Sequence, residues 1–201
     1  EVDAKTLPAS VFDLTKPEYA GKVAVAPTNG SFQDFVTAMR LQEGDAVAEE
    51  WLTGMADNDS PTYADNTSIV QAVARGEAPM GLVNHYYNER QKLEDPASPT
   101  ANYFFESGDV GSLLITTAIG VLKSSDNQKQ AQDLAAFLLA DEAQEFFSSE
   151  TFEYPLAKGA KANAELPALE EINVTTFDLD SLGGGLGATL QMIEASGLTT
   201  S

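Results

Sequence analysis

The stretch from Lys22 to Phe32 limits the folds open to this chain more than any other. Lys22-Val23-Ala24-Val25-Ala26 is a run of small and branched residues of the kind that fills a buried strand, and it passes directly into Pro27-Thr28-Asn29-Gly30-Ser31-Phe32. Phe32, Phe35, Val36 and Met39 then recur at helical spacing, which predicts a helix from about Phe32 to Leu41. Strand, tight glycine turn and helix start in that order predict an α/β fold. The turn leaves backbone N–H groups free at the positive end of a helix dipole, and such groups form an anion cradle. The same tripeptide, Asn29-Gly30-Ser31, also reads as an ordinary helix cap with a turn glycine, which is the commoner use.

A second stretch shares this logic. Asn66 to Met80 reads as an amphipathic helix closed by Arg75-Gly76-Glu77 and Pro79, so Gly81-Leu82-Val83 is expected to be a buried strand ending in Asn84-His85-Tyr86-Tyr87. In an open α/β sheet ligands bind beyond the carboxyl ends of the strands, where a turn would let the two phenol oxygens converge. The competing reading is packing: tyrosine favours half-buried strands, with its hydroxyl reaching water or a carbonyl.

Elsewhere, Val11-Phe12-Asp13-Leu14 offers a short apolar contact, and Gly44 separates the first helix from another over Asp45 to Ala56, which places Trp51 in the core. Asn88 to Leu93 continues as a short helix. Asn102–Phe105 and Leu113–Thr117 are strand candidates separated by a turn signal from Ser107 to Gly111. Asn127 to Ser148 is strongly helical, with a stripe of Ala131, Leu134, Ala135, Leu138 and Leu139 and a restart at Asp141-Glu142. Gly183-Gly184-Gly185 lacks the Lys-Ser/Thr ending of a phosphate loop and precedes a helix from Leu186 to Ser196, stopped by Gly197.

Composition narrows the function. With 31 acids against 11 bases, the formal net charge is −20, a surface that repels phosphate backbones and anionic lipid and argues against nucleic-acid partners. There is no cysteine, so disulfides and thiolate metal sites are excluded, and His85 is the single histidine, which removes zinc sites built on two of them. No apolar run of about 20 residues is present to span a bilayer as a helix.

Lys22 to Phe32, Tyr63 to Tyr87, Gly108 to Ser125, Glu153-Tyr154-Pro155-Leu156 and the closing Leu190-Gln191-Met192 to Gly197 helix together resemble the ferric-ion-binding proteins of bacterial iron ABC transporters, the periplasmic "bacterial transferrins". The resemblance implies a type II periplasmic substrate-binding fold of two α/β lobes hinged about a cleft. It implies Tyr86 and Tyr87 as ligands of Fe(III), and Asn29, Gly30, Ser31, Asn66 and Asn84 as the pocket of a synergistic anion, phosphate or carbonate. His85 falls where relatives carry Asn or His and is not assigned as a ligand. The family's first hundred-odd residues, with the first-lobe ligands, have no counterpart, so the chain is expected to be the C-terminal part of a longer protein. On that basis residues 1–117 form the anion- and iron-binding α/β domain of the second lobe, 118–165 belong with the first lobe, and 166–201 are a closing helical segment. The implied partners are ferric ion, the anion and the membrane permease of an ABC transporter, with the protein a monomer in the periplasm, or a cell-surface lipoprotein where there is no outer membrane.

The chemistry of these residues is consistent with that implication. Ferric iron is a hard ion that favours anionic oxygen, so the missing thiols are no obstacle. A phenol, with an ordinary pKa near 10, is a poor ligand until a highly charged ion drives off its proton. Two phenolates leave positive charge on the ion, which an anion held at the glycine turn would neutralise. A binding protein for another solute, such as an anion, a carboxylate or a polyamine, would keep the fold and the turn without needing paired tyrosines. An enzyme would need a positioned base, and only His85 and tyrosines without a carboxylate partner are on offer, so no catalysis is expected.

Overall fold

The computed structural model describes residues 7–105, 108–172, 178, 181 and 183–198. The chain divides into two units, Glu1–Ile115 with Ile172–Ser201, and Thr116–Glu171. The helices among the described residues are α1 (Gly30–Glu43), α2 (Asp45–Asp57), α3 (Asn66–Ala74), α4 (His85–Glu94), α5 (Gln128–Leu138), α6 (Asp141–Thr151) and α7 (Leu186–Ala195).

In the first unit, strand β1 (Val23–Ala24) pairs in parallel with β2 (Met80–Gly81), placing Val23 opposite Met80 and Ala24 opposite Gly81. On the other edge Val25 forms a parallel bridge to Thr62. The ladder extends through Leu82 N–H to the Ala24 carbonyl and Tyr63 N–H to the Val25 carbonyl, each 2.9 Å. All three segments run the same way, and each leads at its carboxyl end into a helix start: α1, α3 and α4. Glycine is required at position 81 because α3 lies close against β2; a Cβ there would sit 2.3 Å from Ile69 Cγ2.

The core that holds this sheet is built by α1 and α2. Val36, Met39, Trp51, Leu52 and Met55 are buried with Val11, Leu14, Val23 and Val25. Phe35 meets Trp51 edge-on at 5.4 Å between ring centroids, and the indole N–H donates to the Val11 carbonyl at 2.9 Å. The expected break at Gly44 is present, with φ +98° and its N–H closing on the Arg40 carbonyl. Helix α7 joins α1 through a polar contact: Thr37 Oγ1 and Thr189 Oγ1 are 2.7 Å apart and buried, and Arg40 Nη1 donates to both the Gly185 carbonyl and Thr189 Oγ1 at 2.9 Å.

Two strand expectations are corrected. Asn102–Phe105 and Leu113–Thr117 form no strand among the described residues; Leu113 makes one isolated bridge, and Ser107 lies outside the described residues. These segments use local anchors in place of a ladder. The Tyr103 hydroxyl donates to the Pro8 carbonyl at 2.9 Å, Phe105 enters the core, and Asp109 Oδ1 caps a short turn of 3-10 helix, Val110–Ser112, by accepting from Gly111 N–H at 2.7 Å.

The second unit contains α5 and α6. Its internal order centres on buried Gln144, whose Oε1 accepts from Leu156 and Ala157 N–H at 2.7 and 3.1 Å while Nε2 donates to the Leu138 carbonyl at 2.8 Å. The helical stripe read from the sequence is present in α5, yet α5 buries none of its residues, and Leu134, Phe137 and Leu139 are exposed.

Candidate functional site

Tyr86 and Tyr87 do not end a strand. Strand β2 stops at Gly81, and α4 begins at His85, so both tyrosines stand in the first turn of a helix whose N-cap is Asn84. Asn84 has the extended cap backbone, φ −70° and ψ 139°, close to the φ −78° and ψ 137° of its counterpart Asn29, and the helix starts there in place of a longer strand. The two rings lie side by side, centroids 4.5 Å apart and planes tilted by 30°, and His85 meets Tyr86 edge-on at 5.6 Å. Both phenols therefore leave the helix start together, half-buried.

The structure brings four of the five expected anion residues into one hydrogen-bonded chain. Asn29, the N-cap of α1, accepts through Oδ1 from Ser31 N–H at 3.0 Å and from Ser31 Oγ–H at 2.8 Å. Asn66, the first residue of α3 and only 2% exposed, donates through Nδ2 to Ser31 Oγ at 3.2 Å and to Asn84 Oδ1 at 2.9 Å. Gly30 lies between Asn29 and Ser31. Its φ is not in the left-handed region, and no protein atom comes within 4 Å of where a Cβ would stand, so the fold itself does not demand glycine there. A side chain would instead fill open space beside the turn.

Through this chain the starts of α1, α3 and α4 meet at the carboxyl edge of a parallel sheet, and three positive dipole ends favour an anion. The network also has a polarity. The Oδ1 acceptors of Asn29 and Asn84 are both used within it, which leaves their Nδ2 donors uncommitted among the described residues. Asn84 differs from an ordinary cap because its side chain turns to Asn66 and makes no capping bond to α4. Asp65, the cap of α3, is held below the usual carboxylate range by the N–H and hydroxyl of Ser68. Among the described residues no group of three or more His, Cys, Asp or Glu side chains is placed to hold a metal, and no helix is long and apolar enough to cross a membrane.

Reading the sequence missed Asn102 and Glu89. Asn102 Nδ2 donates to the His85 carbonyl at 3.1 Å and to Glu89 Oε1 at 2.7 Å, contacts made across 17 and 13 residues that no local pattern announces.

An α/β lobe with three helix starts gathered at one sheet edge has the form of a ligand-binding module. Over residues 1–182 the chain matches, and belongs to, the bacterial extracellular solute-binding protein family. It is 31% identical over 179 residues to the Fe(3+)-binding periplasmic protein of Serratia marcescens, a match covering 88% of this chain and 53% of that protein. To the major ferric iron-binding protein of Neisseria meningitidis serogroup A it is 29% identical over 201 residues, covering 98% and 60%. Among solved structures it superposes on iron-bound HitA from Pseudomonas aeruginosa with a TM-score of 0.91 at 33% identity, covering 98% of this chain and 63% of that one. The chain thus spans between about half and two thirds of the length of these relatives.

Proposed function

We propose that this chain is the larger part of a solute-binding component of an iron(III) ABC transporter, with ferric iron as its cargo. Tyr86 and Tyr87 bind the ion as phenolates, and Asn29, Gly30, Ser31, Asn66 and Asn84 hold a synergistic anion such as phosphate or carbonate against it. The observation that carries this reading is the hydrogen-bonded chain Asn29–Ser31–Asn66–Asn84, which ends two residues before the tyrosine pair. The relatives named for ferric iron support the choice of cargo. Residues 118–165 pack in the longer protein against a first lobe that supplies further ligands, and the partner of the loaded, monomeric protein is a membrane permease met in the periplasm or at the cell surface.

The test is a titration with ferric ion delivered from a buffered chelate near neutral pH, with and without phosphate, read by the visible phenolate-to-iron band. The wild-type chain develops the band and needs the anion for full intensity. Tyr86→Phe with Tyr87→Phe abolishes it. Gly30→Val leaves the fold intact and weakens the phosphate requirement's apparent affinity by about tenfold, the loss of roughly one charge-assisted hydrogen bond. A band that survives the double tyrosine change would overturn the assignment.

A further inference from the structure

Helix α4 carries both tyrosines, yet it has little core to hold it. Of its 10 residues only Asn88 is buried, and its one aliphatic side chain, Leu93, is 63% exposed. Such a helix packs on α3 with little apolar burial, so polar contacts carry much of its orientation. Two asparagines supply them. At the cap, Asn66 holds Asn84; one turn further on, Asn102 Nδ2 spends both of its hydrogens on α4, bonding the His85 carbonyl at 3.1 Å and Glu89 Oε1 at 2.7 Å. His85 and Glu89 are one helical turn apart, so a single amide group grips both ends of the turn that contains Tyr86 and Tyr87. Asn88 Nδ2 steadies the same Glu89 oxygen at 3.4 Å.

The segment that presents Asn102 is itself anchored. The Tyr103 hydroxyl is bound to the Pro8 carbonyl, Phe105 is buried in the core, and the Phe105 carbonyl accepts from Ser112 Oγ at 3.1 Å. Position is thereby passed from the core to a helix that buries only Asn88 of its own residues. Resting on the ferric reading above, we infer that Asn102, acting through Glu89 and the His85 carbonyl, is a positioning residue that sets the orientation of Tyr86 and Tyr87 toward the bound ion. A metal's outer partners orient its ligands in this way, and removing one lowers affinity by about 10- to 100-fold.

The experiment compares wild type with Asn102→Ala, Asn102→Asp, the pair Asn102→Asp with Glu89→Gln, and Asn58→Ala as a structural control. Asn58 Nδ2 likewise donates two hydrogen bonds, to the Leu14 and Lys16 carbonyls, far in sequence from α4. Two readouts are taken: the ring resonances of isotope-labelled tyrosine in iron-free protein, and ferric affinity with band position in the presence of phosphate. Both Asn102 single variants displace the Tyr86 and Tyr87 resonances, lower ferric affinity by about 10- to 100-fold and shift the band. The pair, which restores a donor and an acceptor in reversed roles, recovers part of that loss. Asn58→Ala lowers thermal stability and moves neither readout. If Asn102→Ala does not fold, Asn102→Asp, of the same shape, gives the same readings. Unchanged tyrosine resonances in a folded Asn102 variant would overturn the inference. Displaced resonances with no band in any protein, wild type included, would support the positioning of the tyrosines and overturn the ferric reading.

Discussion

In the first unit Val11, Val36, Met39, Leu52 and Met55 have no measurable exposure, whereas in the second Leu122, Leu134, Phe137, Leu139, Phe146 and Leu156 are each more than half exposed. Both units carry amphipathic helices of similar length. In the first, α1 and α2 face each other and close a core with their own residues; in the second, α5 meets α6 yet fully buries none of its stripe. An amphipathic pattern specifies which face wants cover and says nothing of what covers it. The site belongs to the unit that closes its own core, and a polar helix such as α4 is placed there by its packing on α3 together with hydrogen bonds.

The sharpest way to break this contrast is to truncate one aromatic in each unit. Trp51→Ala removes a buried indole together with its bond to Val11, and should destabilise the chain by about 3–5 kcal/mol in urea unfolding. Phe137→Ala should change stability by less than about 0.5 kcal/mol. Comparable losses would mean that Phe137 is packed as firmly as Trp51. Next in size, Gln144→Ala deletes three hydrogen bonds and should cost about 1–3 kcal/mol, read by hydrogen exchange as faster exchange confined to the second unit around residues 152–157. Exchange that also rises in α1 and α2 would contradict the separation.

A loss smaller than that of Gln144→Ala is expected at a helix cap in the first unit. Asp65→Ala should cost about 1 kcal/mol at neutral pH. Because the Ser68 contacts lower the folded-state pKa of Asp65, the wild-type advantage is complete above the ordinary carboxylate range and fades as pH falls through that lowered value. The gap in melting temperature between the two proteins should therefore close in acid; a gap independent of pH would show that the charged cap is not its source.

Much of the site could be read from residue order, because its parts stand at helix starts. Asn29 and Asn66 stand at helix starts that local signals place to within a few residues, and Gly44 and Gly197 end helices as expected. The error at Gly81 to Tyr87 arose where two local signals conflict. Leu82-Val83 and the tyrosines favour a strand by propensity, while Asn84 favours a helix start, and the cap prevailed once its side chain was fixed by Asn66. Strand candidates at 102–105 and 113–117 failed for a related reason: alternation marks a surface that can pair, and pairing needs an edge that tertiary structure supplies. Asn102, Glu89 and the Thr37–Thr189–Arg40 contact were not legible at all, since each joins residues distant in sequence through side chains that could as well have faced water.

The central claim is that the asparagine cradle and the tyrosine pair serve one ferric ion. Electron–nuclear double resonance on the protein loaded with ferric ion and phosphate tests it directly, because a phosphorus nucleus couples to the iron spin only when phosphate sits on or against the metal. The account predicts a resolved phosphorus coupling in the protein that shows the phenolate band, reduced in Gly30→Val. A full phenolate band with no phosphorus coupling would place the anion elsewhere and contradict it.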